Sequence, residues 1–122
     1  MTAEAIIYVT GLPQMRAFYQ ECFGLEVAES AGRYCVLTSG AWVLSLVASP
    51  AAAAVPVTAP PARRARTPVK LAFSAPDIDG LGPLIARLGG TLDPGRAWEF
   101  RGFLRRDCLD PEGNVVQLLQ HA

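Results

Sequence analysis

The amino-acid sequence repeats its own plan, and that repeat restricts the fold more than any single motif does. Leu12 recurs as Ile78, Phe18 as Leu84, Tyr19 as Ile85 and Gly24 as Gly90, each displaced by 66 positions. The same displacement carries Glu4 onto Lys70. The turns ahead of the closing strands, Ser39-Gly40 and Glu112-Gly113, also correspond, the displacement having grown to 73 through a longer loop. A duplication requires both halves to share one order of elements, so a reading of either half constrains the other.

In the first half, Glu4–Thr10 alternates as a strand, with Ala5, Ile7 and Val9 on one face and Glu4, Ile6 and Tyr8 on the other. Gly11 is positioned as a helix N-cap and Pro13 lies in the first turn, where its missing N–H costs nothing. Leu12, Met15, Tyr19, Cys22 and Phe23 then recur at helical spacing as the expected buried stripe, and Gly24 supplies the C-cap. Strands are predicted near Leu25–Glu29, Arg33–Thr38 and Ala41–Val47, parted by Ser30-Ala31-Gly32 and Ser39-Gly40. The order is β-α-β-β-β.

The second half follows suit. Strand Val69–Ala75 leads to a helix from near Asp77 to Gly89-Gly90, with Leu81, Leu84, Ile85 and Leu88 as its stripe. Gly80, Gly82 and Pro83 weaken the first turn, so a late or irregular start is expected. Three strands follow, near Thr91–Phe100, Gly102–Asp110 and Asn114–Gln120. Between the halves, the Ala/Pro-rich stretch with scattered Arg reads as a semi-extended surface connector that packs no core. The expected class is α+β, one domain over 1–122 made of a module at 1–48, a linker at 49–67 and a second module at 68–122.

A chain of 122 residues suffices for one domain with a core needing neither disulfide nor structural metal. Its 11 basic and 11 acidic residues cancel, which leaves no cationic field for nucleic acid or an anionic membrane. The one basic cluster, Arg63-Arg64-x-Arg66, reads as a solubilising loop. Cys22, Cys35 and Cys108 are odd in number and lie in apolar stretches, so buried free thiols in a reducing compartment are expected. No stretch approaches eighteen apolar residues and Met1–Ala5 has no leader character; the expectation is a cytoplasmic protein. His121, the only histidine, is penultimate and expected to fray.

The closing stretch holds the most informative polar residue. Asp110-Pro111-Glu112-Gly113 has the pattern of a type I turn. The strand after it puts Val116 and Leu118 on one face and Val115, Gln117 and Leu119 on the other. Gln117 is the odd residue in an apolar run: solvent-facing, satisfied in the core, or aimed at a ligand.

Tyr8-Val9-Thr10-Gly11-Leu12 leading to Phe18-Tyr19 and Phe23-Gly24-Leu25, with Asp110-Pro111-Glu112-Gly113-Asn114 and Gln117-Leu118 at the close, resembles the vicinal oxygen chelate superfamily over almost the whole chain. That superfamily includes glyoxalase I, bleomycin-resistance proteins, fosfomycin-resistance transferases and extradiol dioxygenases. The resemblance implies two tandem βαβββ modules whose curved mixed sheets surround a cavity, often with the site assembled across a homodimer. It also implies four metal-ligand positions, which in this chain carry Glu4, Leu44 or Ser45, Lys70 and Gln117. An ammonium and an aliphatic or hydroxyl group in two of the four do not hold a hard cation, so no metal and no cofactor are expected.

Strand parity assigns the cavity lining. Leu71, Phe73, Leu104 and Cys108 are expected against the helix, with Lys70, Ala72, Ser74, Phe103, Arg105, Asp107 and Leu109 facing inward alongside Gln117. Glu4, Tyr8, Tyr34 and Val36, with Trp42 and Trp98, complete the expected lining. A few polar groups among aromatics suit a small organic molecule. The leading expectation is a metal-independent protein that sequesters an aromatic or antibiotic-like ligand. The alternatives are a lyase or isomerase using Lys70 or Glu4 as general base, and a structural or regulatory domain in which Glu4 and Lys70 pair in a vestigial site.

Overall fold

The structure is a computed structural model that describes residues 3–54 and 56–122. The chain divides into two compact units, Met1–Val57 and Thr58–Ala122.

In the first unit, strand β1 (Ala3–Val9) precedes helix α1 (Leu12–Phe23) and strands β2 (Glu26–Ala31), β3 (Tyr34–Ser39) and β4 (Trp42–Ala48). The sheet order is β1-β4-β3-β2. β1 lies parallel to β4, and the other pairs are antiparallel, with a register shift in β2 between Val27 and Glu29. Helix α1 packs on β3 and β4. Its buried side chains are Met15, Phe18, Tyr19 and Cys22. These meet Cys35, Leu37, Leu44 and Leu46, all fully buried. Phe18 thus joins the stripe that spacing predicted, and Leu12 and Phe23 lie only half-buried at its margins. Each large apolar side chain removed from water contributes about 1.5–3 kcal/mol. Phe18 and Tyr19 add an edge-to-face contact at 5.2 Å. Gly24 closes the helix in the left-handed region at φ 63°, where a side chain would be strained.

The second unit runs β5 (Leu71–Ser74), α2 (Ile78–Arg87), β6 (Thr91–Leu92), β7 (Trp98–Phe100), β8 (Phe103–Leu109) and β9 (Val115–His121). Its order, β5-β9-β8-β6, repeats that of the first unit, with β5 parallel to β9 and β8 antiparallel to both β9 and β6. Strand β7 is an additional arm pairing with β8. The expected α+β class with two mixed sheets is therefore the observed one.

Four local expectations are corrected. The strand predicted over Thr91–Phe100 is two strands, because Asp93-Pro94-Gly95 interrupts it and Gly95 takes φ 97°. Helix α2 starts promptly at Ile78 despite its glycines: Ile78 is only 2% exposed, and its N–H donates to Gln120 Oε1 at 2.8 Å. That bond caps the helix in place of the Asp77 side chain, which makes no capping bond. His121 does not fray; it ends β9 with its ring 4.8 Å from that of Phe103. The connector is not merely solvated. Pro50–Ala54 forms a 3-10 turn whose Ala52 is buried, and further on Arg63 pairs with Asp93.

Arg64 ties the connector to the closing turn. Its N–H donates to Gly113 O at 2.9 Å and its Nε to Glu112 O at 3.0 Å. The turn itself is built on Asp110, which is fully buried. Its carboxylate accepts from Glu112 N at 2.9 Å, Asn114 N at 3.0 Å and Asn114 Nδ2 at 2.8 Å. Those bonds replace the water lost by the charge.

Candidate functional site

Each sheet has one face packed against its own helix and one turned away from that helix, and the polar residues singled out by sequence gather on the faces turned away. In the first unit, register places Glu4, Ile6 and Tyr8 beside Val43, Ser45 and Val47, with Thr38, Val36 and Tyr34 continuing the same face. Ser45, although 6% exposed, donates its hydroxyl to Glu4 Oε1 at 2.5 Å. Tyr34 donates to Glu29 Oε1 at 2.5 Å. That hydrogen bond, and then the carboxylate's charge, raise the phenol above its ordinary value of 10.0. Ile6 and Tyr8 stand more than half exposed.

Register also settles the choice between Leu44 and Ser45. Ile6 pairs with Ser45 and Ala72 with Gln117. Ile6 and Ala72 are themselves related by the 66-residue displacement, so Ser45 is the counterpart of Gln117. Leu44 is fully buried on the helix side. Trp42 pairs with Ala3 and Ser39 and so belongs to the opposite parity from Glu4. The register does not bring it onto the face that carries Tyr8 and Tyr34.

The second unit carries the larger polar arrangement. Asp107 and Gln117 are cross-strand partners on β8 and β9. Gln117 Nε2 donates to Asp107 Oδ1 at 3.2 Å, and Lys70 Nζ forms an ion pair with Asp107 Oδ2 at 2.9 Å. On the other side, Arg105 Nη1 donates to Gln117 Oε1 at 2.9 Å and Arg105 Nε to Phe100 O at 3.1 Å. The result is one connected line, Lys70–Asp107–Gln117–Arg105. Aromatic rings flank its arginine end: the guanidinium carbon lies 5.3 Å from the Phe100 ring centroid and 5.7 Å from that of Phe103. Trp98 pairs with Arg105 across β7 and β8 and shares that face.

The adjacent Arg106 explains why the parity of β8 tolerates charge on both sides. Pointing to the helix side, it donates to Asp79 Oδ1 at 2.9 Å and to Asp93 O at 2.7 Å. Sequence reasoning missed Phe100. Alternation from Trp98, two residues earlier on the same strand, was the signal that would have found it. It also left Ser45 undecided, for want of the strand register.

The residues at the four inferred metal positions do not fit a divalent cation. Lys70 offers an ammonium already donating to Asp107, and the Gln117 oxygen is held by a guanidinium. The Ser45 hydroxyl donates a hydrogen bond to Glu4 and carries no charge to offer a cation. Among the described residues, no group of three or more His, Cys, Asp or Glu is arranged to hold a metal ion.

Comparison with protein families matches residues 2–118 to the Glyoxalase/Bleomycin resistance protein/Dioxygenase superfamily. Among solved structures, a family enzyme from Burkholderia phytofirmans PsJN has 22% identity and TM-score 0.73, over 98% of this chain and 97% of that one. A bleomycin resistance determinant encoded on transposon Tn5 has 16% identity and TM-score 0.63, over 99% and 98%. The genomically encoded fosfomycin resistance protein from Listeria monocytogenes has 16% identity and TM-score 0.71, over 100% and 93%. At these identities the likeness speaks for the fold alone. No curated protein matches the chain.

Proposed function

Since the chain belongs to the Glyoxalase/Bleomycin resistance protein/Dioxygenase superfamily, we propose that it is a metal-independent small-molecule-binding protein that sequesters an aromatic or antibiotic-like ligand. The observation that carries this reading is the polar line Lys70–Asp107–Gln117–Arg105 set among Trp98, Phe100 and Phe103 on the sheet face turned away from the unit's own helix. Hydrogen-bonding groups in fixed order beside exposed rings orient a ligand while the rings supply contact area. Glu4, Tyr8 and Tyr34 are the residues of the first unit that we assign to binding. The expected assembly is a homodimer in the cytoplasm. The exposed Ile6 and Tyr8 support the first expectation, and three buried free cysteines the second. No helix among the described residues is long and apolar enough to cross a membrane.

Catalysis by Lys70 is the less supported alternative, since a general base needs a free lone pair and this ammonium is committed to Asp107. Glu4, whose carboxylate has Ser45 as donor, is the better placed base if chemistry occurs.

Tryptophan emission tests the binding reading. Titration with planar aromatic compounds should quench fluorescence, with the change retained in Trp42→Phe and lost in Trp98→Phe. Quenching that follows Trp42 instead, or none across a broad aromatic panel, rejects the site.

A further inference from the structure

We propose that Arg105 receives the oxyanion of the ligand, with Lys70 adding positive charge from the far end of the same polar line, so that the bound molecule is a small organic anion with a planar body against Trp98 and Phe100. This rests on the small-molecule reading of the same face and adds the ligand's charge to it.

The charge count on this face motivates the assignment. Two cations, Lys70 and Arg105, stand on the line with the single carboxylate of Asp107, and both of its oxygens are already taken, Oδ2 by Lys70 and Oδ1 by Gln117. Arg105 donates only to neutral oxygens, the Phe100 carbonyl and the Gln117 amide. Among the described residues it has no carboxylate partner, and its Nη2 makes no hydrogen bond. Yet it is half-buried and oriented by two rings, so its charge is partly removed from water without a counter-charge.

Two other arginines of this unit do have carboxylate partners. Arg106 pairs with Asp79 and Arg63 with Asp93. The planar fork of Arg105 therefore retains donors suited to an oxyanion. Lys70, with its side chain 42% exposed, retains further protons to donate. The neighbouring rings, Trp98 at 44% and Phe100 at 52% exposure, have surface left to cover.

Benzoate, phenylphosphonate and the neutral benzamide, titrated by fluorescence and by ligand-observed NMR, test this. Both anions should bind about tenfold or more tighter than benzamide, and added sodium chloride should erode that preference. Arg105→Gln should level the three ligands. Lys70→Gln, at a position whose side chain is 42% exposed, should reduce the preference in part and keeps the test decisive if the arginine variant does not fold. Benzamide binding as well as benzoate overturns the charge assignment and leaves the small-molecule reading intact. A preference for anions that survives both substitutions also overturns it. Binding of none of the three overturns both readings.

Discussion

Gln117 owes its role to the residues on either side of it in space. Its carbonyl faces a guanidinium and its amide N–H a carboxylate, so its orientation is fixed by two charges of opposite sign. In the first unit the counterpart position is Ser45, whose single hydroxyl reaches Glu4 directly. The same strand position thus serves a negative group in one unit and bridges a negative to a positive group in the other. Cys22 shows residue-scale chemistry of another kind. Burial, and then the charge of Glu21, push its thiol from 9.0 up to about 12. Below pH 9 the thiol is protonated in both folded and unfolded chains and adds no pH dependence. Between pH 9 and about 12 the unfolded chain releases a proton that the folded chain keeps, so stability falls as pH rises. The slope from this group is at most about 1.4 kcal/mol per pH unit. Urea unfolding of wild type and Cys22→Ala across that window should show the shallower slope in the variant; equal slopes would refute the assignment.

At the scale of elements, the connector and the closing turn behave as one piece. Gly113 has φ 88°, and a Cβ there would stand 1.8 Å from the Ala62 carbonyl oxygen, a backbone atom that cannot swing aside. Gly113→Ala should therefore combine left-handed strain with displacement of the connector and loss of the Arg64 bonds, costing at least about 2 kcal/mol. Gly95 provides the control, since it has φ 97° with nothing within 4 Å of an added Cβ. Its alanine variant should show the backbone cost alone, about 1–2 kcal/mol. Denaturant midpoints for the two variants separate the contributions, and equal losses would mean that the connector adds nothing. The repeat of strands and helix was legible here from turn residues and apolar spacing. The prompt start of α2 was not, because its cap comes from Gln120, 42 positions away.

For the whole molecule, the distribution of donors argues against a role for metal. The only histidine is at position 121, the cysteines are buried, and Lys70 stands where the resemblance implies a ligand. Dialysis against a chelator should leave the melting temperature unchanged, and Mn²⁺, Ni²⁺ or Zn²⁺ at millimolar concentration should not raise it. A specific site occupied at a hundred times its Kd would stabilise the fold by about 2.7 kcal/mol, an easily measured rise.

The sequence alone determined the duplicated βαβββ order, the α+β class and the parity that puts Phe103, Arg105, Asp107 and Gln117 on one side of a strand pair. Those properties follow from periodicity and turn chemistry, which act between residues close in the chain. Only the tertiary structure decided that Ser45 rather than Leu44 answers to Gln117, that Trp42 lies on the other side of its strand from Glu4, and that Phe100 joins the arginine. Each depends on the register between strands far apart in sequence, where a shift of one residue reverses every side chain.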